Sequence, residues 1–308
     1  MNGVAAPIRA AEPAPPPSDL RSQPAVSVVM VVYMTGAALQ AAIDGVLADP
    51  HVDELILVDN GSTAEEEACL RAAAHDRRVR LVSGHGNVGF ARGANLGART
   101  ARGDTLVFLN PDAFLQPGCV AALVEEIDGR AVPCIIGGRI LNADRSEQRG
   151  ARRGEITPLT ALMSLSRLAR LAPALRRFEV HWENDASPYE VAEVPTISGA
   201  CFCMRRADFA AVSGFDEGYF LHVEDVDLCW RVRRAGGAVL FHPKAEVIHL
   251  GHTSQSHPLK VEFHKGVGLA RYFRKRADGF GARVLAILLT PLVIGSAILR
   301  PLIPGRRD

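Results

Sequence analysis

From residue 26 to residue 109 the chain repeats one pattern, and that repeat restricts the fold more than any other feature. A short β-branched apolar run is followed by a polar turn and then by apolar residues at helical spacing. Residues 26–33 form the first such run, and residues 37–48 place Leu39, Ile43, Val46 and Leu47 on one helical face. Residues 54–59 form the second run, with a helix predicted from Thr63 to about His75. Residues 79–82 form the third, with a helix over residues 90–100, and residues 105–109 form the fourth. Nearly continuous apolar runs of this length belong to strands covered on both faces. Strand and helix at this rhythm make βαβ units and a parallel sheet. The expected class is therefore α/β, with a nucleotide-binding type of half at residues 25–115.

Ligands of such sheets sit beyond the carboxyl ends of the strands. The ends here are Tyr33-Met-Thr35, Asp59-Asn-Gly-Ser62, Ser83-Gly-His-Gly-Asn87 and Asn110-Pro-Asp112. An acid such as Asp59 either caps the next helix or meets a ligand. Polar residues at several ends together favour one shared site. Gly84-His-Gly-Asn-Val-Gly89 has the spelling of a dinucleotide fingerprint, but it follows the third strand rather than the first. The acid that should end the next strand is also displaced, to Asp112, so a Rossmann dehydrogenase is not expected. The glycines still form a loop whose backbone can approach an anion.

Composition bounds the rest. With 308 residues the chain can remove roughly three quarters of its unfolded surface from water, and 48% hydrophobic against 22% charged residues is ordinary globular usage. A net charge of +1 excludes the global basic field of a nucleic-acid binder. The charge is uneven, however: residues 271–308 hold eight Lys/Arg and two Asp/Glu, a net +6, which leaves −5 for the remainder. The six cysteines form no CxxC pair and read as small apolar residues in a reducing cytosol. Cys201 and Cys203 alternate, which puts both on one face of a strand. Residues 1–24 carry six of the 19 prolines and no uninterrupted apolar segment, so they read as a disordered tail rather than a signal peptide.

Several motifs resemble those of the inverting family 2 glycosyltransferases, nearest to their rhamnosyltransferase-like branch. They are Ser27-Val-Val-Met-Val-Val-Tyr33, Val58-Asp-Asn-Gly-Ser-Thr63, Asn87-Val-Gly-Phe-Ala-Arg-Gly-Ala-Asn95 and Phe108-Leu-Asn-Pro-Asp112. Ser198-Gly-Ala200, Gly214-Phe-Asp-Glu217 and Glu224-Asp-Val-Asp-Leu-Cys-Trp-Arg231 follow in the family's order. The resemblance implies a GT-A fold: a nucleotide-binding half and an acceptor half (residues 116–270) on one continuous mixed sheet. It implies that Val32, Tyr33 and Asp59 hold the base and ribose of a nucleotide-sugar donor. Asn87, Arg92, Asn95 and Asn110 would also line the donor site, with Arg92 suited to diphosphate charge. Asp112 would be the working carboxylate of a motif usually spelled Asp-x-Asp, and Asp225 the general base of an inverting displacement. By the same resemblance His249 is a metal ligand, and His252 contacts the diphosphate or shapes its loop. The implied donor is a nucleotide-sugar, dTDP-rhamnose first; the alternatives are a UDP-hexose donor on the same fold or an inactive nucleotide-sugar-binding scaffold.

The chemistry asks for the same residue types. Sugar transfer from a nucleoside diphosphate builds negative charge on the leaving phosphate, which Mg2+ or Mn2+ offsets while needing few protein carboxylates. The attacking hydroxyl must lose its proton, so a positioned carboxylate is required. Read without the resemblance, Glu224, Asp225 and Asp227 are equally an acidic helix start, with Asp227 paired to Arg231 one turn on. With it, Glu224 and Asp227 take orienting or structural roles beside Asp225.

Two regions remain. Residues 149–193 hold Arg149, Arg152, Arg153, Arg167, Arg170, Arg176 and Arg177, either as an amphipathic lid over an anionic acceptor or as an exposed helix pair; Trp182 and Tyr189 either stack on a sugar or pack in the core. Residues 284–299 are uncharged, and their 16 residues reach about 24 Å as a helix, short of the roughly 30 Å of hydrocarbon. Segment 271–308 is therefore expected to lie at a membrane interface or re-enter it rather than span, with Arg271, Arg274, Lys275 and Arg276 facing anionic headgroups, or else to pair with another subunit. The expected location is the cytoplasmic face of the cell membrane, with a glycan or lipid-linked acceptor.

Overall fold

The computed structural model describes residues 25–130, 133–165, 173–183, 185–251, 253 and 257–299. The first half follows the predicted rhythm: β1 (Val26–Val32), α1 (Ala38–Ala48), β2 (Glu54–Asp59), α2 (Ala64–Ala73), β3 (Val79–Val82), α3 (Phe90–Thr100) and β4 (Thr105–Leu109). Beyond them come β5 (Ala113–Leu115), α4 (Cys119–Asp128), β6 (Cys134–Leu141), β7 (Arg152–Arg153) and α5 (Pro158–Leu165). Then follow β8 (Ala192–Glu193), β9 (Thr196–Ile197), β10 (Cys201–Arg205), α6 (Arg206–Ala211), α7 (Glu224–Arg234), β11 (Ala238–His249), α8 (Pro258–Arg276) and α9 (Phe280–Leu299).

One mixed sheet runs in the order β3-β2-β1-β4-β10-β6-β11-β5, with β8 on the flank of β11. The four amino-terminal strands are parallel, and β10 is antiparallel to both β4 and β6. That antiparallel insertion joins the two halves into one sheet. Alternation along β1 separates two cores. Val26, Val28, Met30 and Val32 face α1 and α4, whereas Val29 and Val31 face α3. Cys201 and Cys203 fall on one face and Phe202 and Met204 on the other, as the alternation predicts. Gly93 and Gly97 let α3 press onto this sheet: a Cβ at Gly97 would stand 2.4 Å from Val29.

The carboxyl-terminal helices pack back onto the body. Arg271 and Lys275 of α8 each hold Asp216 at 2.9 Å, and Lys275 also meets Asp227 at 2.8 Å. Arg276 pairs with Glu155. Three of the four basic residues assigned to headgroups are thus committed to acids of the body, and residue 270, the expected end of the acceptor half, falls inside α8. Only Arg274 of the four is exposed without an ion pair among the described residues. The last helix is also longer than the uncharged run, because residues 280–283 form its first turn. At 20 residues it reaches about 30 Å, so length alone does not keep it from spanning a bilayer.

Candidate active site

The carboxyl end of β4 and the last residue of β11 meet at Asp112. Asn110 is tied to the neighbouring strand end by its N–H on the Ala200 carbonyl at 2.9 Å, and Leu250 donates to the Asp112 carbonyl at 3.1 Å. The Asp112 carboxylate, almost fully buried, lies 3.2 Å from His249 Nε2 through one oxygen and accepts from Thr253 Oγ1 at 2.8 Å through the other. Burial pushes its pKa up, but the hydrogen bonds from His249 and Thr253 outweigh this and the pKa is lowered.

Gln148 settles the imidazole. Its Nε2 donates to the His249 carbonyl at 2.9 Å and to Asn142 Oδ1 at 3.1 Å, so Oε1 is left to accept from His249 Nδ1 at 2.7 Å. Nδ1 therefore carries a proton, and Nε2 faces Asp112, donating to the carboxylate when the ring is doubly protonated and presenting its lone pair to a cation when the ring is neutral. Asn110 Nδ2, rather than its oxygen, faces that nitrogen at 3.2 Å. A carboxylate oxygen beside an imidazole lone pair, with the second ring nitrogen fixed by an amide, is a donor set that fits a divalent cation. Among the described residues no third His, Cys, Asp or Glu joins the pair. Mg2+ and Mn2+ accept so small a protein share because substrate phosphates and water complete their shells. His252 lies outside the described residues.

The second carboxylate stands at the start of α7. Its approach is strained: His222 and Val223 both have positive φ, at 66° and 74°. Such a conformation costs a β-branched residue about 1–3 kcal/mol and needs its surroundings to hold it. Val223 is buried, with α8 pressed against it at Gly268, where a Cβ would come within 3.0 Å of the His222 carbonyl. This bend delivers Asp225 beside the Ser198-Gly-Ala200 strand connection. Asp225 Oδ2 accepts from Gly199 N–H at 3.1 Å and from the Arg153 guanidinium, and Oδ1 accepts from Val226 N–H at 2.8 Å. Both Oδ2 lone pairs are occupied, whereas Oδ1 keeps one. Burial raises the Asp225 pKa, but Arg153 more than reverses this and holds the group ionised. Its neighbour goes the other way: burial first, then the Asp225 charge, push Glu224 up to about 8. Glu224 Oε2 is buried with no hydrogen-bond partner among the described residues.

Arg153 is the residue that sequence reasoning missed. It belongs to the arginine-rich segment read as a lid or an exposed helix pair, yet it lies in β7, paired with β9. Arg149 and Arg152 also turn inward, to Glu179 and Glu183 and to Glu147. Arg167 and Arg170 lie outside the described residues. Trp182 packs against the core, next to Gly154, and Tyr189 is exposed. Asp227 is fully buried and held by Arg231 at 2.6 Å, by Lys275 and by the Tyr219 hydroxyl, a structural role.

On the donor side, Asp59 Oδ1 accepts from Gly61 and Ser62 N–H at 3.1 and 3.0 Å, and Tyr33 lies over Gly61. The α2 helix is capped instead by Thr63 with Glu66. Val32 keeps its side chain in the core and gives its carbonyl to Asn60 N–H. Asn60, also unforeseen, binds Asn87 and Val88, and Asn87 caps Gly89. Gly89 must be glycine, since its φ is 85° and a Cβ would strike the Phe220 carbonyl at 2.6 Å. Arg92 is exposed, 3.5 Å from Glu217. Asn95 points away from this loop: its amide bonds Phe215 N–H, the Phe215 carbonyl and Glu217. It fastens the Gly214-Phe-Asp-Glu217 turn rather than presenting a free group.

The family model described as "Glycosyl transferase family 2" matches residues 27–212. The chain belongs to that family. Within it, the chain is 30% identical over 236 residues to the N-acetylglucosaminyl-diphospho-decaprenol L-rhamnosyltransferase of Mycobacterium tuberculosis, covering 72% of this chain and 75% of that protein. It is 23% identical to the rhamnosyltransferase WbbL of Escherichia coli, covering 74% of this chain and 84% of the other. This family 2 member is therefore rhamnosyltransferase-like. Among solved structures, that of GalNAc-T7 with UDP, GalNAc and Mn2+ aligns with a TM-score of 0.62 at 18% identity, covering 84% of this chain and 49% of that one. The mannosyltransferase PcManGT of Pyrobaculum calidifontis, solved with GDP-Man and Mn2+, aligns at 0.57 and 15% identity, covering 90% and 74%. The fold is the GT-A fold that the motifs imply.

Proposed function

We propose that this glycosyltransferase moves a rhamnosyl group from a nucleoside diphosphate, dTDP-rhamnose first among candidates, to a lipid-linked glycan with inversion at the transferred carbon. The observation that carries this reading is the pair of carboxylate environments at Asp112, just past β4, and at Asp225, in the first turn of α7. Asp112 with His249 forms a cation-type donor set, and Asp225 is an ionised carboxylate with one oxygen lone pair unused. The relatives named as rhamnosyltransferases supply the donor class and the lipid-linked acceptor.

Asp225 Oδ1 accepts the proton of the acceptor hydroxyl as that oxygen attacks, and Arg153 and Gly199 keep the carboxylate oriented by holding Oδ2. One displacement at one carbon inverts it. A divalent cation, Mg2+ or Mn2+, held by Asp112 and His249 would offset the charge that develops on the leaving diphosphate. The loop of Asp59, Asn60 and Asn87, its N–H groups bonded within the loop, offers the Asp59 carboxylate and the Tyr33 ring to the nucleotide.

A thermal-shift panel of dTDP-, UDP- and GDP-sugars with Mg2+ or Mn2+ tests the donor. dTDP-rhamnose should give the largest shift; a UDP-hexose winning instead would reassign it. Chelation should abolish turnover and Mn2+ or Mg2+ restore it. Asp225→Asn should abolish turnover while the donor still binds, and an unchanged rate would remove the base assignment. The anomeric configuration of the product, read by NMR, decides inversion.

A further inference from the structure

The last helix leaves the body with an uncovered apolar face. Ala286, Val293 and Ala297 are buried, whereas Leu285, Ile287, Leu288, Leu292 and Leu299 are 49–70% exposed. After Arg283 the helix carries no charge, and a face of this size is not left in water. Its orientation is fixed by α8. The two helices run antiparallel, with Gly266 of α8 so close that a Cβ there would lie 2.9 Å from Ile294 and 3.1 Å from Ala297. Helix α8 in turn is fastened to the body by Arg271 and Lys275 on Asp216.

We infer that α9 docks flat on an anionic bilayer, its outer face sunk among the acyl chains and its axis in the membrane plane, and does not span. A span would carry α8 into the hydrocarbon along its whole length. That helix holds seven charged side chains, among them Lys260, Glu262, Lys265 and Arg274, and charges at that depth are expensive. In the flat arrangement only α9 enters. Charge complementarity names the occupant: Arg274 and Arg283 are exposed at one end of the hairpin and Lys260 at the other, none of them with an ion pair among the described residues. A second copy of this chain would bring the same cations together, whereas anionic headgroups neutralise them. The rim toward the site is apolar as well, with Phe220, Leu259 and Phe263 exposed and Phe220 stacked on His264 at 4.6 Å.

The arrangement also sets a height. Gly268 of α8 abuts His222 and Val223, and Gly266 abuts α9. One helix, about 10 Å thick, therefore separates the loop before Asp225 from the membrane-lying helix. Resting on the proposed reading of the site, this favours acceptors whose reacting sugar lies close to the lipid, not at the tip of a long glycan.

Flotation of the full chain with phosphatidylcholine vesicles, with and without an equal part of phosphatidylglycerol, tests the docking. The protein should float with the anionic vesicles. Leu288→Glu with Leu292→Glu should lower partitioning roughly 10-fold or more, and transfer to a water-soluble acceptor should be unchanged. The milder pair Leu288→Ala and Leu292→Ala should weaken binding by less, which keeps the test if the acidic pair fails to fold. In a Cys69→Ser background, Phe280→Cys and Leu299→Cys on vesicle-bound protein should react equally with an impermeant maleimide. One end protected until detergent is added would mean a span and overturn the inference. So would absence of vesicle binding, or a lipid-free dimer dissolved by the acidic pair. Because the soluble acceptor reports transfer separately, failure of the docking leaves the catalytic reading standing.

Discussion

Glu224→Gln separates the two adjacent carboxylates. Burial and the Asp225 charge raise the Glu224 pKa from its ordinary 4.5 to about 8, so at neutral pH this side chain is protonated in the fold and ionised in the unfolded chain. The folded state then binds one more proton than the unfolded state between those two values. Stability from this group is fully present below 4.5 and is lost as pH rises toward 8. At 1.36 kcal/mol per unit the full traverse is worth roughly 4 to 5 kcal/mol, and relaxation of the coupled Asp225 reduces what is read to about 2–4 kcal/mol. Glutamine mimics the protonated form and does not titrate. Urea unfolding should therefore find wild type and Glu224→Gln alike near pH 5, with the variant more stable by about 2–4 kcal/mol near pH 8.5. Turnover at pH 7 should survive, since the proton that glutamine mimics is already present. Parallel stability profiles would refute the burial argument. Loss of turnover in Glu224→Gln with retention in Asp225→Asn would exchange the two roles.

Arg153→Met leaves the buried Asp225 carboxylate without its cation. Its pKa should rise, so the acid limb of the kcat/KM profile moves to higher pH, and Arg153→Lys should restore part of the shift. The same change should cost about 3–5 kcal/mol in unfolding experiments, the usual cost of stranding one member of a buried pair. Asn95→Ala removes three hydrogen bonds to the 215–217 turn and should destabilise by about 2–4 kcal/mol, two buried backbone groups losing their partner. Calorimetry should find donor affinity unchanged in that variant; a large loss of affinity without loss of stability would return Asn95 to the donor site.

The four parallel strands and their helices were legible because each is specified by its own residues. An apolar run such as 54–59 needs both faces covered wherever it lies, and the spacing of Leu39, Ile43 and Val46 has no other use. The candidate site residues at strand ends were legible for the same reason: a parallel strand must end in a loop, and Asp59 and Asp112 lie at or just past those ends. What the sequence hid are the partners. Arg153 and Asp225 are 72 residues apart, and Gln148 and His249 are 101 apart. No local periodicity marks either member, because β7 has only two residues. A run of arginines carries the same pattern whether its acids are in solvent, in a lipid or across the sheet.

The carboxyl-terminal segment differs from its sequence expectation for the same physical cause. A charge count gives residues 271–308 a surplus of +6, and it points Arg271, Arg274, Lys275 and Arg276 at headgroups because it has no pairing in it. Arg271, Lys275 and Arg276 instead join α8 to Asp216, Asp227 and Glu155. The apolar helix is held beside a charged one, three of whose cations, Arg271, Lys275 and Arg276, fasten it to the body. That pairing, rather than the length of the apolar run, is what argues against a span. It also ties α9 to the acidic turn at Asp216 and the strained approach to Asp225. A perturbation of α8 packing, at Gly268 for instance, should therefore be felt at Asp225, the proposed base.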